Sequence, residues 1–582
     1  MTADRIIEIR DRELPQGASR PLPDYPPLLD RIYRLRGVAD VAELDYRLGA
    51  MPRPDTLPGI DVAAEILADA IVTHGRILVV GDFDADGATS TAVAVRGLRA
   101  MGAGSVDYLV PDRFALGYGL SAPLVEQALP LEPSLILTVD NGISAHSGVE
   151  AANAAGIPVV VTDHHLPGST LPEAAAIVNP QVNPEAFPGR HLAGVGVCFY
   201  LMLAVRQVLR DRGWFEQEHQ EPNLANLLDL VALGTVADVV RLDHLNRLFV
   251  EQGLRRIRAG AGSQGISALL RVAGRDPARA CAMDLGFAVA PRLNAAGRLD
   301  DMSVGIEALL SESESEADER AAVLEALNTK RRSVEREMRD SAMTDVETKI
   351  AEAEGRMEPV LCLFDAQWHQ GVVGIVAGRL KEHFHRPVIA FAPGETDELK
   401  GSARSIPGVH MRDLLEAIDT RTEGRLIRRY GGHAMAAGLQ IAASDLQAFE
   451  KALSEIAPEW VGNHGETQIL WTDGVLAASA YTLETARELR LAGPWGAGFP
   501  EPLFRDRFVI QSKRIVGETH LKLTVSPADG PGRALDAIAF NAVDRGWDQL
   551  GDEVEGVFRL DVNVFRGRES LQLVFDYLTA AT

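Results

Sequence analysis

Three short segments carry acids and histidines in patterns that suit a metal ion. Gly81-Asp82-Phe83-Asp84-Ala85-Asp86-Gly87 sets three carboxylates at alternate positions. Asp140-Asn141-Gly142 and Asp163-His164-His165 follow, and Asp238 stands in GTVADVV. Carboxylates packed closely repel one another and resist ionisation. A divalent cation removes that cost. Four or five Asp with one or two His form a hard, oxygen-rich set. Such a set suits Mn²⁺ or Mg²⁺ rather than a thiolate-bound metal.

The elements that must position these groups are legible as apolar runs. ILVV at 77–80 runs into the first acidic segment, LILTV into Asp140, and PVVVT into Asp163. Continuous apolar runs bounded by loops and alternating with helices, such as 90–101, indicate a parallel sheet covered on both faces. In an open sheet of this kind, ligands bind outside the carboxyl ends of the strands. Three strands therefore deliver acids and histidines to one edge, and Asp238 follows a buried helix at 224–233. DFDADG alone also fits a calcium loop. An EF-hand needs Glu at loop position twelve and a preceding helix. Here that position is Val93 and a strand precedes, so the calcium reading is set aside. The histidine doublet alone would read as structural; its place at a strand end makes it a ligand candidate.

Further along, 312–354 lacks glycine and proline, is strongly charged, and opens with acids where a helix dipole favours them. Val323, Leu324, Leu327, Val334 and Met338 recur at near-helical spacing, so a long connecting helix is expected rather than a disordered linker. A second α/β block runs from about 359 to 458. From about 468, FVIQSKRI, LKLTV, FRLDVNVF and LQLVF alternate apolar and polar residues, as in a small β-barrel of OB type. The expected fold is thus α/β. It comprises an N-terminal segment (1–60, with a short helix near 27–37) and a parallel-sheet domain (61–305). A connecting helix (306–355), a second α/β domain (356–464) and a C-terminal β-barrel (465–582) follow.

At this point the sequence resembles a known family. Asp163-His164-His165 is the name-giving triplet of the DHH phosphoesterases, and DFDADG, VDNG, DHH and VAD occur in that family's order. RPVIAFA, the SxR of GSARSI and GGHAMAAG resemble the associated DHHA1 domain. LVPDRFALGYGL, APRLNAAGR, the long helix and the C-terminal β module resemble the RecJ-like branch, from about Pro27 to the end. The resemblance implies that Asp84, Asp86, Asp140, His164 and Asp238 hold two metal ions, Mn²⁺ or Mg²⁺, with Asp140 bridging. Asp82 would be a ligand or support at the first ion, His165 would contact the scissile phosphate, and Asp163 would orient the adjacent histidine. Arg113 would grip substrate phosphate. Two cations bridged by a carboxylate lower the pKa of a water and stabilise attacking and leaving oxygens in an in-line displacement.

The resemblance also implies a pocket for a terminal 5′ phosphate, made by Ser402, Arg404, His433 and Arg298. Glycines let backbone approach a phosphate and Arg offers a bidentate fork. His369 is a weaker candidate for the same pocket. Arg425, Arg428 and Arg429 either border the DNA path or form a solvated basic face. In the β module, Arg505, Arg507, Lys513, Arg514 and Lys522 with Phe504, Phe508, Phe540 and Phe565 offer the charge and stacking used by single-strand binders, although most such aromatics are core.

The expected activity is hydrolysis of single-stranded DNA from the 5′ end to nucleoside 5′-monophosphates in recombination and repair. Single-stranded DNA-binding protein and a RecQ-type helicase are the expected partners. Two alternatives remain. One is a small-substrate DHH enzyme of oligoribonuclease, cyclic-dinucleotide or pyrophosphatase type; those are shorter and lack the β module. The other is a non-catalytic scaffold, which would be expected to lose ligands that are all filled here. Composition is consistent with an enzyme: 582 residues, 46% hydrophobic and 24% charged, fit an ordinary multi-domain globular chain. The net charge of -24 argues against a generic nucleic-acid coat but permits a local basic groove. No apolar run reaches the roughly 20 residues of a membrane span, the charged N-terminus has no secretory h-region, and three scattered cysteines form no CxxC. A cytoplasmic enzyme with no membrane partner is expected.

Overall fold

The structure is a computed structural model that describes all residues except 1–5, 18–19, 217–218, 395–396, 466, 530–532 and 582. The charged first residues of the N-terminus lie outside the described residues. The chain forms two compact bodies. One comprises Asp11–Glu325 and Thr472–Thr582, the other Met1–Arg10 and Ala326–Trp471.

The first body is built on a five-stranded parallel sheet. Its spatial order is Ser105–Leu109, Arg76–Val80, Leu135–Val139, Val159–Thr162, Ala176–Val178. Leu135–Val139 and Val159–Thr162 are wholly buried, as expected of strands covered on both faces. The order reverses beside Arg76–Val80, which pairs with Ser105–Leu109 on one side and Leu135–Val139 on the other. That reversal is a topological switch point, where strand ends open a crevice. The helix Ala85–Ala100 leaves the crevice and is buried along nearly all its length.

The C-terminal module closes into a barrel. Phe504–Val516, His520–Pro527, Leu535–Ala539, Arg568–Ala580 and Glu553–Phe565 follow one another around it. The pair Leu535–Ala539 with Arg568–Ala580 is parallel, which completes the OB-type order. This barrel belongs to the same body as the DHH-type sheet. Leu242 N donates to Ala497 O at 2.7 Å, the Arg247 guanidinium lies 4.2 Å from the Phe499 ring centroid, and Arg279 pairs with Glu569 at 2.5 Å. The segment at 1–60 is less separate than its proline and charge imply. Pro27–Leu35 is a helix, Tyr33 stacks on Trp495 and Phe499, and Arg36 forms a buried ion pair with Asp473 at 2.7 Å.

The second body holds a mixed sheet in the order Ile427–Gly432, Ala436–Ala442, Glu398–Arg404, Val388–Pro393, Leu361–Phe364. Only Leu361–Phe364 with Val388–Pro393 is parallel. Its core gathers Phe391, Leu414, Ile441 and Phe449. The connecting helix runs Glu314–Glu352, a single element of 39 residues. Among the described residues, no helix is long and apolar enough to cross a membrane.

Candidate metal centre and phosphate pocket

The acids and histidines meet at the switch point. Asp84 caps the Ala85–Ala100 helix, its Oδ1 accepting from Gly87 N at 2.9 Å. Asp86 lies in the first turn, buried. Its carboxylate accepts from Gly194 N at 2.7 Å and Val195 N at 3.0 Å, at the head of the Gly194–Asp211 helix. Two orphan amides of a helix N-terminus thus fix this carboxylate. Asp140 ends its strand at a φ of 62°, a left-handed conformation that Asp and Asn tolerate better than most residues. Asp238 ends the Leu228–Ala237 helix.

His164 Nε2 stands 3.2 Å from Asp140 Oδ1 and 3.6 Å from Asp238 Oδ2. Three overlapping groups each bring their ligand atoms within 4.8 Å of one another: Asp82, Asp84 and Asp140; Asp86, His164 and Asp238; Asp140, His164 and His165. The donors fit hard divalent cations. Asp82 Oδ1 and Asp140 Oδ1 are buried with no hydrogen bond among the described residues, atoms that a cation would satisfy. Burial first, and then neighbouring carboxylates, push Asp82, Asp140 and Asp238 well above the usual carboxylate range. The same causes raise Asp86 to about 7.

A pH dependence follows. Carboxyls with raised pKa values favour the fold while protonated and lose that contribution as pH climbs from the unfolded value of about 3.9 through about 7. Free of metal, the protein should melt at a lower temperature at pH 8 than at pH 5.5. Mn²⁺ should raise the melting temperature more at pH 8, where it competes less with protons. Calorimetry in chelator and in Mn²⁺ checks this; an increment independent of pH would contradict the cluster's role as a cation site.

Asp163 is the bracket of the DHH turn. Its Oδ1 accepts from His164 N at 2.7 Å and His165 N at 3.1 Å and pairs with His165 Nδ1 at 2.7 Å, while Oδ2 accepts from Ile143 N at 2.9 Å. The ring it orients is therefore that of His165. Burial opposes charge on that ring, but the bond to Asp163 and the surrounding acids outweigh it and raise its pKa to about 9. Arg113 Cζ lies 4.5 Å from the Phe83 ring centroid, and its Nη1 donates to Gly297 O at 3.3 Å.

Several supports were not singled out in the sequence. Tyr118 donates its hydroxyl to Asp140 O at 2.8 Å. Asn141 Nδ2 donates to Val80 O and Val139 O, both at 3.0 Å, tying two strand ends together. Asn294 Oδ1 accepts from Ala85 N at 2.8 Å. A Cβ on Gly194 would sit 2.4 Å from Asp140 Oδ1, and one on Gly297 1.8 Å from Phe83 O, so both glycines are close-approach points. For Asn141, Asn294 and Gly297 the signal was a place inside the VDNG and NAAGR segments; nothing in the residue types told their partners.

In the second body, Arg404 Nη1 donates to Ser402 Oγ at 3.0 Å and to Ala403 O at 2.8 Å. A Cβ on Gly374 would meet Ser402 Oγ at 2.7 Å and Arg404 Nη2 at 2.9 Å, so the head of the Val373–Phe384 helix lies against this pair. His369 Nδ1 accepts from Gly371 N at 3.1 Å just before that helix. Ala436 pairs with Arg404 in register, and His433 N donates to Ala436 O at 2.8 Å, which brings His433 to the same end of the sheet. A helix N-terminus beside an arginine is a ready anion site. Burial lowers the pKa of Arg404, a desolvation that an anionic ligand would offset. Arg298 stands in the other body, in the last turn of Ala290–Leu299. Arg425 pairs with Glu423 and Arg428 with Glu398, ion pairs of a solvated face.

The barrel's aromatics divide cleanly. Phe504 and Phe508 are core, whereas Phe540 and Phe565 are exposed. Arg505 pairs with Asp11, Lys522 with Asp536, and Lys513 Nζ donates to Asp548 O and Leu550 O; Arg514 is exposed.

Comparison with known proteins agrees along the whole chain. Residues 76–235 match the model of the DHH family, N-terminal domain; 358–459 match the DHHA1 domain; and 472–577 match the RecJ OB domain. The chain is 52% identical to the single-stranded-DNA-specific exonuclease RecJ of Salmonella typhimurium over 98% of both chains. It is 51% identical to the exonuclease of that name from Escherichia coli, again over 98% of both chains. The crystal structure of RecJ in complex with Mn²⁺ from Thermus thermophilus superposes with a TM-score of 0.80 at 30% identity, covering 99% of this chain and 80% of that one.

Proposed function

The chain belongs to the RecJ family, and on that premise we propose that it is an exonuclease that hydrolyses single-stranded DNA from the 5′ end to nucleoside 5′-monophosphates, with Mn²⁺ or Mg²⁺ as cofactor. The observation that carries this reading is the convergence of Asp82, Asp84, Asp86, Asp140, His164 and Asp238 at one sheet edge. Bound cations there supply a water of lowered pKa and neutralise charge on the phosphoryl oxygens. The residues around them do the rest. Asp140 lies in two of the three ligand groups, which suits a bridging position. His165, held by Asp163, contacts the scissile phosphate. Arg113 grips a substrate phosphate, and Arg298 contacts the terminal 5′ phosphate. No side-chain nucleophile is required.

Ser402, Arg404, His433 and His369, at the head of the Val373–Phe384 helix, bind the terminal 5′ phosphate, and a reader of that end makes the enzyme start there and run 5′ to 3′. Arg404→Ala should therefore cost on the order of 2–5 kcal/mol of binding to a 5′-phosphorylated strand. Strands with a 5′ phosphate and a 5′ hydroxyl should become alike in rate, while the Mn²⁺ requirement is unchanged. A variant that discriminates between the two strands as the parent does removes Arg404 from the role.

The family link supports work in recombination and repair in the cytoplasm, with single-stranded DNA-binding protein and a RecQ-type helicase as partners. The barrel and the filled ligand positions weigh against a small-substrate phosphodiesterase and against a non-catalytic scaffold. End-labelled single- and double-stranded DNA, incubated with Mn²⁺, Mg²⁺ or chelator, tests the reading. Mononucleotides released from the 5′ end of single strands support it; preference for dinucleotides, or binding without turnover, overturns it.

A further inference from the structure

The connecting helix Glu314–Glu352 is charged in blocks. Residues 314–325 carry five acids and one arginine, and 340–352 carry four acids and one lysine. Between them, 326–339 carry five cations, Lys330, Arg331, Arg332, Arg336 and Arg339, against Glu335 and Glu337. The helix dipole favours acids in the first turn and cations in the last, and it is silent about the middle. A basic block there, in a chain of net charge -24, calls for another cause.

Packing explains the inward cation. Arg331 pairs with Glu335 at 2.5 Å, and Arg379 reaches the same carboxylate at 3.1 Å from the helix Val373–Phe384. Arg332, Arg336 and Arg339 are different. They are exposed and follow one another at i, i+4 and i+7, so they share one flank over roughly 10 Å of the axis. Like charges at that spacing destabilise a helix. Arg332 donates to Thr329 Oγ1 at 3.3 Å. Arg339 pairs with Asp340 at 2.8 Å, but both side chains are open to solvent, where an ion pair contributes little. Arg336 has no ion-pair partner among the described residues. Seven residues before Arg332, on the same flank, Glu325 pairs with Arg292 at 2.5 Å, and Arg292 shares the helix Ala290–Leu299 with Arg298. Glu335 is attached through Arg379 to the helix at whose head Ser402 and Arg404 lie. The helix that carries the stripe is thus tied, at 325 and 335, to two elements that carry candidate phosphate contacts.

We propose that Arg332, Arg336 and Arg339 form a phosphate-binding stripe that holds the backbone of the single strand outside the metal centre and the terminal pocket. The proposal rests on the exonuclease reading above. The chemistry of the flank selects the occupant. Exposed cations beside the exposed hydroxyls of Thr329 and Ser333 suit phosphate oxygens, which carry no sequence information. A protein interface relies on large anchors packed in apolar pockets. Between 324 and 352 no large hydrophobic side chain among the described residues stands exposed. The acidic blocks on either side repel the same backbone and confine it to the stripe.

The test titrates the full chain onto a fluorescent, 5′-phosphorylated single strand of about 30 nucleotides, long enough to span several phosphate contacts, over a series of salt concentrations in excess chelator. Mononucleotide release in Mn²⁺ is measured separately, and circular dichroism checks each fold. Each phosphate contact to a single strand contributes about 0.7 to the slope of log affinity against log salt. The triple variant Arg332→Gln, Arg336→Gln, Arg339→Gln should therefore lower that slope by about 2 and weaken binding at least about tenfold at 0.1 M salt. Arg336→Gln alone should lower the slope by about 0.7, and Lys330→Gln, on the opposite flank, should leave it unchanged. A triple variant with the parent's slope overturns the proposal, whether the stripe is then a solvated face or a dock for an acidic protein. A loss of equal size from Lys330→Gln also overturns it, because the effect would then be one of net charge. A parent that binds strands in this way but releases no mononucleotides in Mn²⁺ overturns the exonuclease reading and leaves the stripe standing.

Discussion

Asp140→Asn should remove hydrolysis of single-stranded DNA, lowering kcat by about 10³-fold or more, because in the proposed assignment this carboxylate would serve both cations. Asp140 joins Asp82 and Asp84 in one ligand group and His164 and His165 in another. Asn keeps the shape and tolerates the left-handed backbone at this position, where φ is 62°. The close contact with Gly194 and the bond from Tyr118 to the backbone carbonyl are both retained. The fold should therefore survive. In the absence of metal the variant should melt above the parent, and more so at pH 8 than at pH 5.5. One carboxylate that burial and like charges hold well above its usual range is gone. Activity within tenfold of the parent, from a variant with a parental circular dichroism spectrum, would remove Asp140 from the bridging position.

Removal of divalent metal should abolish activity outright, and Mn²⁺ or Mg²⁺ should restore it. Ca²⁺ should restore it poorly, on the order of a hundredth or less of the Mn²⁺ rate, because it takes longer bonds and more ligands and loosens the in-line geometry. The site's own chemistry leads to this result. Asp82 Oδ1 and Asp140 Oδ1 are buried without hydrogen bonds among the described residues, and Asp82, Asp86, Asp140 and Asp238 resist ionisation as they stand. Cations that enter would favour the ionised carboxylates and relieve their mutual repulsion. Full turnover in excess chelator, or in Ca²⁺ alone, contradicts this assignment.

The strands that end at the site could be read directly. ILVV, LILTV and PVVVT became Arg76–Val80, Leu135–Val139 and Val159–Thr162, because a strand buried on both faces must be a continuous apolar run. The long helix was legible from the absence of breakers, although it begins at Glu314, after a separate short helix Ser303–Leu310. Short strands such as Ser105–Leu109 and Ala176–Val178 escaped notice, being brief and sitting at the sheet's two edges.

The order of residues along the chain carries the inventory: which acids and histidines follow which strands, and hence that one edge of one sheet gathers a hard-metal site. The tertiary structure decided partners. Asp163 serves His165, Asp86 takes its amides from Gly194 and Val195, and Arg36 finds Asp473 at the far end of the chain. It also decided that the C-terminal barrel belongs to the catalytic body rather than hanging from the second lobe, so that a cut near residue 465 would strip surface from the DHH-type sheet's own body. The physical reason is the same in each case. Strand and helix periodicity is written in neighbouring residues, while hydrogen bonds and ion pairs across the fold join residues remote in the chain, and only closure of the core selects among their many possible partners.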